Sequence, residues 1–139
     1  MYRLVSYALI LCAVLSTAAC GSKASTPTSP TPAPAATVTE TFSGTINRNG
    51  ATTHTFLAQA SGAVTATLDT LAPENTSAIG LSLGTWNGSA CQIVIANDNA
   101  AQGAIVVGLA SSAGNLCVRV YDVGKIGDLA SYELTVVHP

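Results

Sequence analysis

The sequence predicts an all-β protein: an antiparallel two-sheet β-sandwich of about eight strands. From residue 38 onward, apolar residues recur at every second position, and this period places them on one face of a strand. Gly, Asn and Pro separate the alternating runs at the spacing of turns. No segment carries an apolar stripe of helical period, so we expect few helices.

The alternation gives each predicted strand an inward face. In the first strand Val38, Phe42 and Ile46 share a face, and a turn follows at residues 47–50. A loop at residues 73–76 separates the third strand from the fourth. The later inward sets are Phe56 and Ala58; Val64, Ala66 and Leu68; Ile79, Leu81 and Leu83; Ile105, Val107 and Leu109; Leu116, Val118 and Val120; and Tyr132, Leu134 and Val136.

In one hairpin the turn residues predict which residues of the two strands pair. In TWNGSACQI, Asn87 and Gly88 stand between two apolar runs, and a two-residue type I′ turn there pairs Leu83 with Gln92. A three-residue loop instead pairs Leu83 with Cys91 and gives Gly88 a left-handed conformation. We prefer the three-residue loop.

Residues 1–19 have the layout of an export signal. A short region with Arg3 precedes an apolar run from Leu4 to Leu15, and small residues close it. The run is shorter than the roughly 20 apolar residues that a membrane-spanning helix needs. We therefore expect a cleaved signal peptide.

Ala18, Ala19 and Cys20 resemble the lipobox of bacterial lipoproteins, with Thr17 where Leu is usual. The resemblance implies lipidation of Cys20, with palmitate among the acyl chains, and several chains anchor a protein stably to a membrane. Gly21 in place of Asp implies an outer-membrane lipoprotein of the bacterial cell envelope, facing the periplasm or the cell surface. The alternative is cleavage by the general signal peptidase, which leaves no lipid on Cys20.

Residues 20–37 are rich in Pro, Thr and Ser and lack apolar periodicity. Such a segment favours polyproline II, which extends about 3.1 Å per residue. The sequence thus predicts a lipidated cysteine and tether at 20–37 and one β-sandwich domain at 38–139.

The cysteines predict one disulfide. Cys12 leaves with the signal and Cys20 takes lipid, so Cys91 and Cys117 remain in an exported chain, where disulfides persist. The alternation places these two on opposite faces of their strands. The bridge therefore requires either a β-bulge or a different apolar face near Cys91.

Charge is sparse. Beyond the signal there are four basic and seven acidic residues, a net charge of −3. No basic patch is present to neutralise phosphates, so we expect no nucleic-acid partner.

Several segments resemble the bacterial pre-peptidase C-terminal domain family. They are AGNLCVRVYDVG (113–124), SYELTVVHP (131–139), FSGTI (42–46), HTF (54–56) and GAVTATL (62–68). The resemblance implies a jelly-roll-like β-sandwich that serves as an accessory module beside secreted peptidases, in substrate attachment or secretion. No catalytic domain accompanies it in this sequence, so a role tied to a peptidase on the same chain is not expected.

An Asx-rich set is the candidate metal site. It comprises Asn97, Asp98, Asn99, Asp122 and Asp128. Carboxylate, amide and carbonyl oxygens are the ligands of Ca²⁺, so these residues predict a possible structural calcium ion and no other cofactor. The alternative is a set of Asx turns.

Two further side chains have a functional and a structural interpretation. Trp86 in the hairpin loop is a candidate platform for a sugar, or it packs over a sheet end. His54 is a candidate catalytic base, but no GxSxG segment accompanies it and it shares a face with Phe56, which favours a packed residue.

We therefore expect a non-catalytic, lipid-anchored envelope protein that displays a binding or accessory module. Its partners would be the membrane through the lipid, and an envelope protein or a polysaccharide. The alternatives are a hydrolase that uses His54, a calcium- or carbohydrate-binding module, and a structural envelope protein without a specific ligand.

Overall fold

A computed structural model of the chain describes residue 33 and residues 35–76 and 78–139. The predicted signal peptide, Cys20 and most of the predicted tether lie outside the described residues. Within the described ranges no helix is long and apolar enough to cross a membrane.

The described residues form eight β-strands and no helix. The strands are β1 (Val38–Asn47), β2 (Ala51–Ala58), β3 (Gly62–Ala72), β4 (Ile79–Trp86), β5 (Cys91–Ala100), β6 (Ile105–Ala110), β7 (Gly114–Tyr121) and β8 (Leu129–His138). The turn predicted at 47–50 is present, with the Gly50 N–H donating to the Asn47 carbonyl, and the Thr76 N–H donates to the Pro73 carbonyl in the predicted 73–76 loop.

The strands make two antiparallel sheets, in the orders β1-β8-β3-β6 and β2-β7-β4-β5. Successive strands repeatedly cross from one sheet to the other, and these two orders are those of an eight-stranded jelly roll. The predicted two-sheet β-sandwich is confirmed.

The inward faces of the two sheets form one core. Most of the side chains that the alternation assigned to it are buried: Ile46, Phe56, Ala58, Val64, Ala66, Leu68, Ile79, Leu81, Leu83, Val118, Val120, Tyr132, Leu134 and Val136. Each large aliphatic residue among them stabilises the fold by roughly 1.5–3 kcal/mol relative to exposure. Because both sheets and this core lie within residues 38–139, the segment 33–139 has what a domain needs to fold by itself.

The predicted inward face of β6 is wrong. Ile105, Val107 and Leu109 are 57%, 54% and 80% exposed, whereas Val106 and Ala110 are each 4% exposed. In IVVGLA both faces are apolar, so alternation within the strand does not determine its phase. Pairing with β3 does, because Val106 lies opposite the inward Ala66 and directly opposed residues share a face.

The predicted pairing in the β4–β5 hairpin is also wrong. Trp86 pairs with Cys91, so the loop has four residues, 87–90, and Leu83 pairs with Ile95. The Oδ1 atom of Asn87 accepts hydrogen bonds from the backbone N–H groups of Ser89 and Ala90, at 2.9 and 2.8 Å. This Asx turn supports the longer loop. Gly88 has the expected left-handed conformation, with φ of 94°.

The predicted disulfide is confirmed, with the Cα atoms of Cys91 and Cys117 5.8 Å apart. The bulge that it requires lies in the β4–β5 pairing, where the register shifts between Leu83 and Gly84. A Cβ atom on Gly84 would collide with the carbonyl of Gln92, so the β5 backbone passes close over this glycine. Since Gly84 is also the β4 partner of Cys117, that approach brings Cys91 within bonding distance.

We expect Gly84→Ala to destabilise the domain. The new methyl group would overlap backbone atoms of β5, and overpacking of this kind typically costs about 1–3 kcal/mol. Urea unfolding of the oxidised segment 33–139 measures the loss. The matched control is Gly114→Ala in β7, where a Cβ meets no atom within 4 Å and a change of at most about 0.5 kcal/mol is expected. Equal stability of the two variants would contradict this account.

Candidate functional site

An open groove of about 660 Å³ lies beside the β4–β5 turn. Its lining residues come from four strands and one turn. They are Glu40 of β1, Thr55, Phe56 and Leu57 of β2, Trp86 of β4, Asn87 and Gly88 of the turn, and Asn115 of β7. The sequence singled out Trp86 among these, and the structure places it in the groove.

The strand pairing explains how the groove is built. Phe56 and Ala58 point into the core, so Thr55 and Leu57 lie on the outer face of β2, where Leu57 pairs with Asn115. The turn after Trp86 forms the neighbouring wall. Trp86 pairs with Cys91, and the disulfide from Cys91 fastens this turn to β7.

Trp86 itself is half-buried. It is the last residue of β4 rather than the tip of the loop, so part of the indole packs and part remains accessible. The packing over a sheet end is thus present in part, and the role of Trp86 as a sugar platform stays a prediction. All four residues of the turn, 87–90, are exposed.

A buried histidine holds the carboxylate of the groove. The Oε1 atom of Glu40 lies 2.9 Å from Nε2 of His138, whose side chain is 2% exposed. The His138 ring also packs on Phe56, with ring centroids 4.9 Å apart, and its Nδ1 lies 3.2 Å from the Pro139 carbonyl oxygen. Sequence reasoning missed Glu40, because its partner is 98 positions away and no local motif marks the pair.

The side chains that line the groove are mostly polar, and the only charged one among them is acidic. The lining combines one carboxylate, a threonine hydroxyl and two side-chain amides with the indole of Trp86. None of the lining residues is basic, so the groove does not favour an anionic ligand. Amides and a carboxylate recognise hydroxyl groups, and an indole offers an apolar face.

His54 lies at the β1–β2 edge, outside this groove. Its ring stacks on Phe42 at a centroid distance of 4.9 Å and an interplanar angle of 20°, and its Nε2 lies 2.8 Å from the Tyr132 hydroxyl. Gly44 makes room for that hydroxyl, since a Cβ there would lie 2.7 Å from it. The hydrogen-bond partner is thus a tyrosine, whereas a catalytic triad places a serine and a carboxylate around the histidine.

Asp122, one of the predicted metal ligands, caps its own loop. Its Oδ2 accepts the Asn49 N–H at 2.8 Å, and its Oδ1 accepts the N–H groups of Gly124, Lys125 and Ile126 at 2.8, 3.0 and 3.1 Å. These bonds, that from Asn49 first, hold the pKa of the carboxyl below its ordinary value. This is an Asx-turn arrangement.

Asn97, Asp98 and Asn99 lie at the end of β5. The Asp98 carboxylate accepts a hydrogen bond from the Tyr121 hydroxyl, and burial together with this bond raises the pKa of Tyr121 to about 12.

Asn97 accepts the Asn99 N–H at 2.9 Å, and the Oδ1 of Asn99 accepts a bond from the Lys125 ammonium at 2.7 Å. The Lys125 ammonium group thus lies beside this Asx segment.

Asp128, the fifth predicted ligand, contributes its backbone carbonyl to the Arg48 N–H at 3.3 Å. In the described part of the chain no three His, Cys, Asp or Glu side chains group in a way that could hold a metal ion. The calcium site stays a prediction from the sequence.

His54 makes the stability of the domain depend on pH. Burial lowers its pKa, so the folded chain binds fewer protons there than the unfolded chain. The stability that this difference contributes is fully present above the pKa of about 6.5 in the unfolded chain. It is lost as the pH falls through the lower pKa of His54 in the folded chain. We expect His54→Gln to flatten the decline in the free energy of unfolding below about pH 6.5. Urea titrations of both proteins at several pH values measure it, and parallel pH profiles would contradict the assignment.

The sequence matches no protein-family model, and no curated protein is similar to it. The resemblance to pre-peptidase C-terminal domains therefore rests on the sequence segments alone and stays a prediction.

Proposed function

We propose that this protein is a non-catalytic, lipid-anchored component of the bacterial cell envelope and that its β-sandwich binds a neutral polysaccharide in the Trp86 groove. The observation that carries the proposal is the composition of the groove. An accessible indole stands there beside two amides and a carboxylate held in place by a buried histidine.

The geometry of the groove supports a sugar ligand. Sugar rings have an apolar C–H face, which stacks on an indole, and hydroxyl groups around their rims, which pair with amide and carboxylate groups. The volume of about 660 Å³ lies within the range of about 300–1,000 Å³ for small-molecule sites. Because the groove is open, an internal segment of a polymer can enter it.

The rigid mounting of the groove also suits binding. The Asx turn and the disulfide hold Trp86 and Asn87, and the pairing of β2 with β7 sets Leu57 beside Asn115. A site that is formed before the ligand arrives loses less conformational entropy on binding.

The membrane part of the proposal comes from the N-terminal sequence. Acyl chains on Cys20 would anchor the protein, and the Pro-rich tether would extend up to about 50 Å at 3.1 Å per residue. With such an anchor and tether, the sandwich would be within reach of envelope polysaccharide.

The hydrolase alternative has less support. His54 hydrogen-bonds to Tyr132, and the groove contains one carboxylate, whereas glycoside hydrolysis ordinarily uses two at a set separation. The resemblance to pre-peptidase C-terminal domains implies an accessory role, and this role is compatible with a polysaccharide-binding module.

Trp86 is the only tryptophan in the chain, so intrinsic fluorescence reports on the groove directly. We expect titration of the segment 33–139 with neutral glucan oligosaccharides to shift the emission saturably. Trp86→Ala should weaken binding measured by calorimetry at least 10-fold, which is about 1.4 kcal/mol. Trp86→Phe should retain part of it.

The matched control is Leu129→Ala, an exposed leucine of β8 outside the groove, which should leave affinity unchanged. Absence of a saturable shift with every neutral glycan tested would refute the polysaccharide proposal.

The anchor is tested separately in the full chain expressed in a diderm bacterium. We expect the wild-type protein in the membrane fraction with acyl chains on Cys20 by mass spectrometry. Cys20→Ala should appear in the soluble fraction, because the anchoring contribution of about 0.8 kcal/mol per buried CH₂ is lost. An unmodified Cys20 in the wild-type protein would exclude the lipid anchor without bearing on the groove.

A further inference from the structure

The edge of the sandwich formed by β5 and β6 exposes an unusual number of aliphatic side chains. β5 is the outermost strand of one sheet and β6 of the other, and the two strands lie side by side. We call this surface the aliphatic edge. Its residues, with their exposed fractions, are Ile93 (47%), Val94 (76%), Ile95 (40%), Ile105 (57%), Val107 (54%) and Leu109 (80%).

The aliphatic edge lacks the features that usually protect a sheet edge. Charged residues, especially Lys, and Pro on an edge strand usually prevent it from pairing with another chain. Neither kind of residue occurs in CQIVIAN (91–97) or in IVVGLA (105–110). The one charged residue of β5, Asp98, follows this segment and accepts a hydrogen bond from Tyr121. The opposite edge is polar along its length, since β1 and β2 are both rich in threonine. The exposure of six aliphatic residues amounts to roughly 600 Å² of apolar surface, the upper end for a typical monomer.

A small apolar pocket opens within this edge. Its volume is about 50 Å³, and Val94, Ile95, Gly108 and Leu109 surround an opening that reaches the core residue Leu83. Gly108 leaves the space open, because a Cβ there would lie 3.4 Å from Leu83 Cδ1, at ordinary contact distance. The protruding Leu109 and this pocket are therefore neighbours on one surface.

We propose that the aliphatic edge is a homodimer interface, in which a second copy of this chain packs its own β5 and β6 edge against the first about a two-fold axis. A two-fold contact places the same surface on both sides, so a charge near the axis would face its own copy and a charge elsewhere would be buried against apolar side chains. An uncharged edge avoids both penalties. A two-fold axis also sets two identical edge strands antiparallel, which lets their free N–H and C=O groups pair.

The area is sufficient for such a dimer. Two copies of the aliphatic edge bury roughly 1,200 Å² in total, the lower limit for stable protein interfaces. In the proposed dimer, Leu109 of one copy would pack into the opening beside Gly108 of the other. A membrane surface fits less well, because interfacial binding relies on Lys, Arg and aromatic residues, and the aliphatic edge has none of them.

Sedimentation equilibrium of the segment 33–139 from about 1 to 200 µM tests the proposal, since interfaces of this size commonly dissociate in that range. We expect a reversible monomer–dimer equilibrium. Val94→Lys and Leu109→Lys should raise the dissociation constant at least 10-fold, because each would bury an unpaired charge in an apolar interface. Both positions are exposed, so unfolding by urea should be unchanged.

Two further variants distinguish the interface from a general effect of charge. Leu129→Lys adds the same charge at an exposed leucine of β8 and should leave the dimer intact. Gly108→Ala adds no charge and fills the opening, and it should weaken the dimer without destabilising the monomer.

A protein that is monomeric at all concentrations would overturn the proposal, as would equal disruption by Leu129→Lys. Co-sedimentation of a monomeric protein with phosphatidylethanolamine–phosphatidylglycerol vesicles, lost in Leu109→Lys, would also overturn it and assign the edge to the membrane.

Discussion

The close passage of the β5 backbone over Gly84 is the constraint on which the groove and the aliphatic edge of this protein depend. Only a residue without a side chain allows the approach. The register shift at this point brings Cys91 to Cys117, and the resulting disulfide joins the outermost strand of the sheet to β7 across β4. The β4–β5 turn, with Trp86 at its start, is thereby fixed to the sheet.

The same irregularity shapes the outer strand. In the β4–β5 pairing Leu83 lies opposite Ile95 and Gly84 opposite Ile93, so Val94 has no partner. A bulge of this kind interrupts the alternation of faces, and the aliphatic side chains of Ile93, Val94 and Ile95 all remain exposed. One local feature thus contributes to both the polar groove and the aliphatic edge.

The two surfaces differ in chemistry and in the kind of partner they suit. The groove offers hydrogen-bonding groups around an indole, with its carboxylate held by His138, and suits a hydroxyl-rich ligand. The aliphatic edge offers uncharged branched side chains and free strand edges, and suits an identical surface. A dimer would present two grooves, and two tethered grooves on one polymer bind more tightly than either alone. The titratable groups away from these surfaces, among them His54 and Asp122, serve packing and loop capping instead.

Sequence alone determined the features that follow from local periodicity and turn chemistry. The alternation from residue 38 onward predicted the strands and most of the core, and the cysteine count predicted the Cys91–Cys117 bridge. It did not determine the phase of β6, because both faces of IVVGLA are apolar, nor the four-residue turn after Trp86. Pairing with β3 decided the phase of β6, and the hydrogen bonds of the Asn87 side chain decided the length of the turn.

The groove depended on tertiary structure even more. Trp86 was recognisable as a candidate because it is a lone aromatic residue beside a turn. Glu40 and Asn115 were not, because nothing in their neighbourhoods distinguishes them and only strand order brings them to Trp86. Local sequence specifies which residues form strands and turns, whereas contacts between residues distant in the chain arise only when the two sheets close on each other.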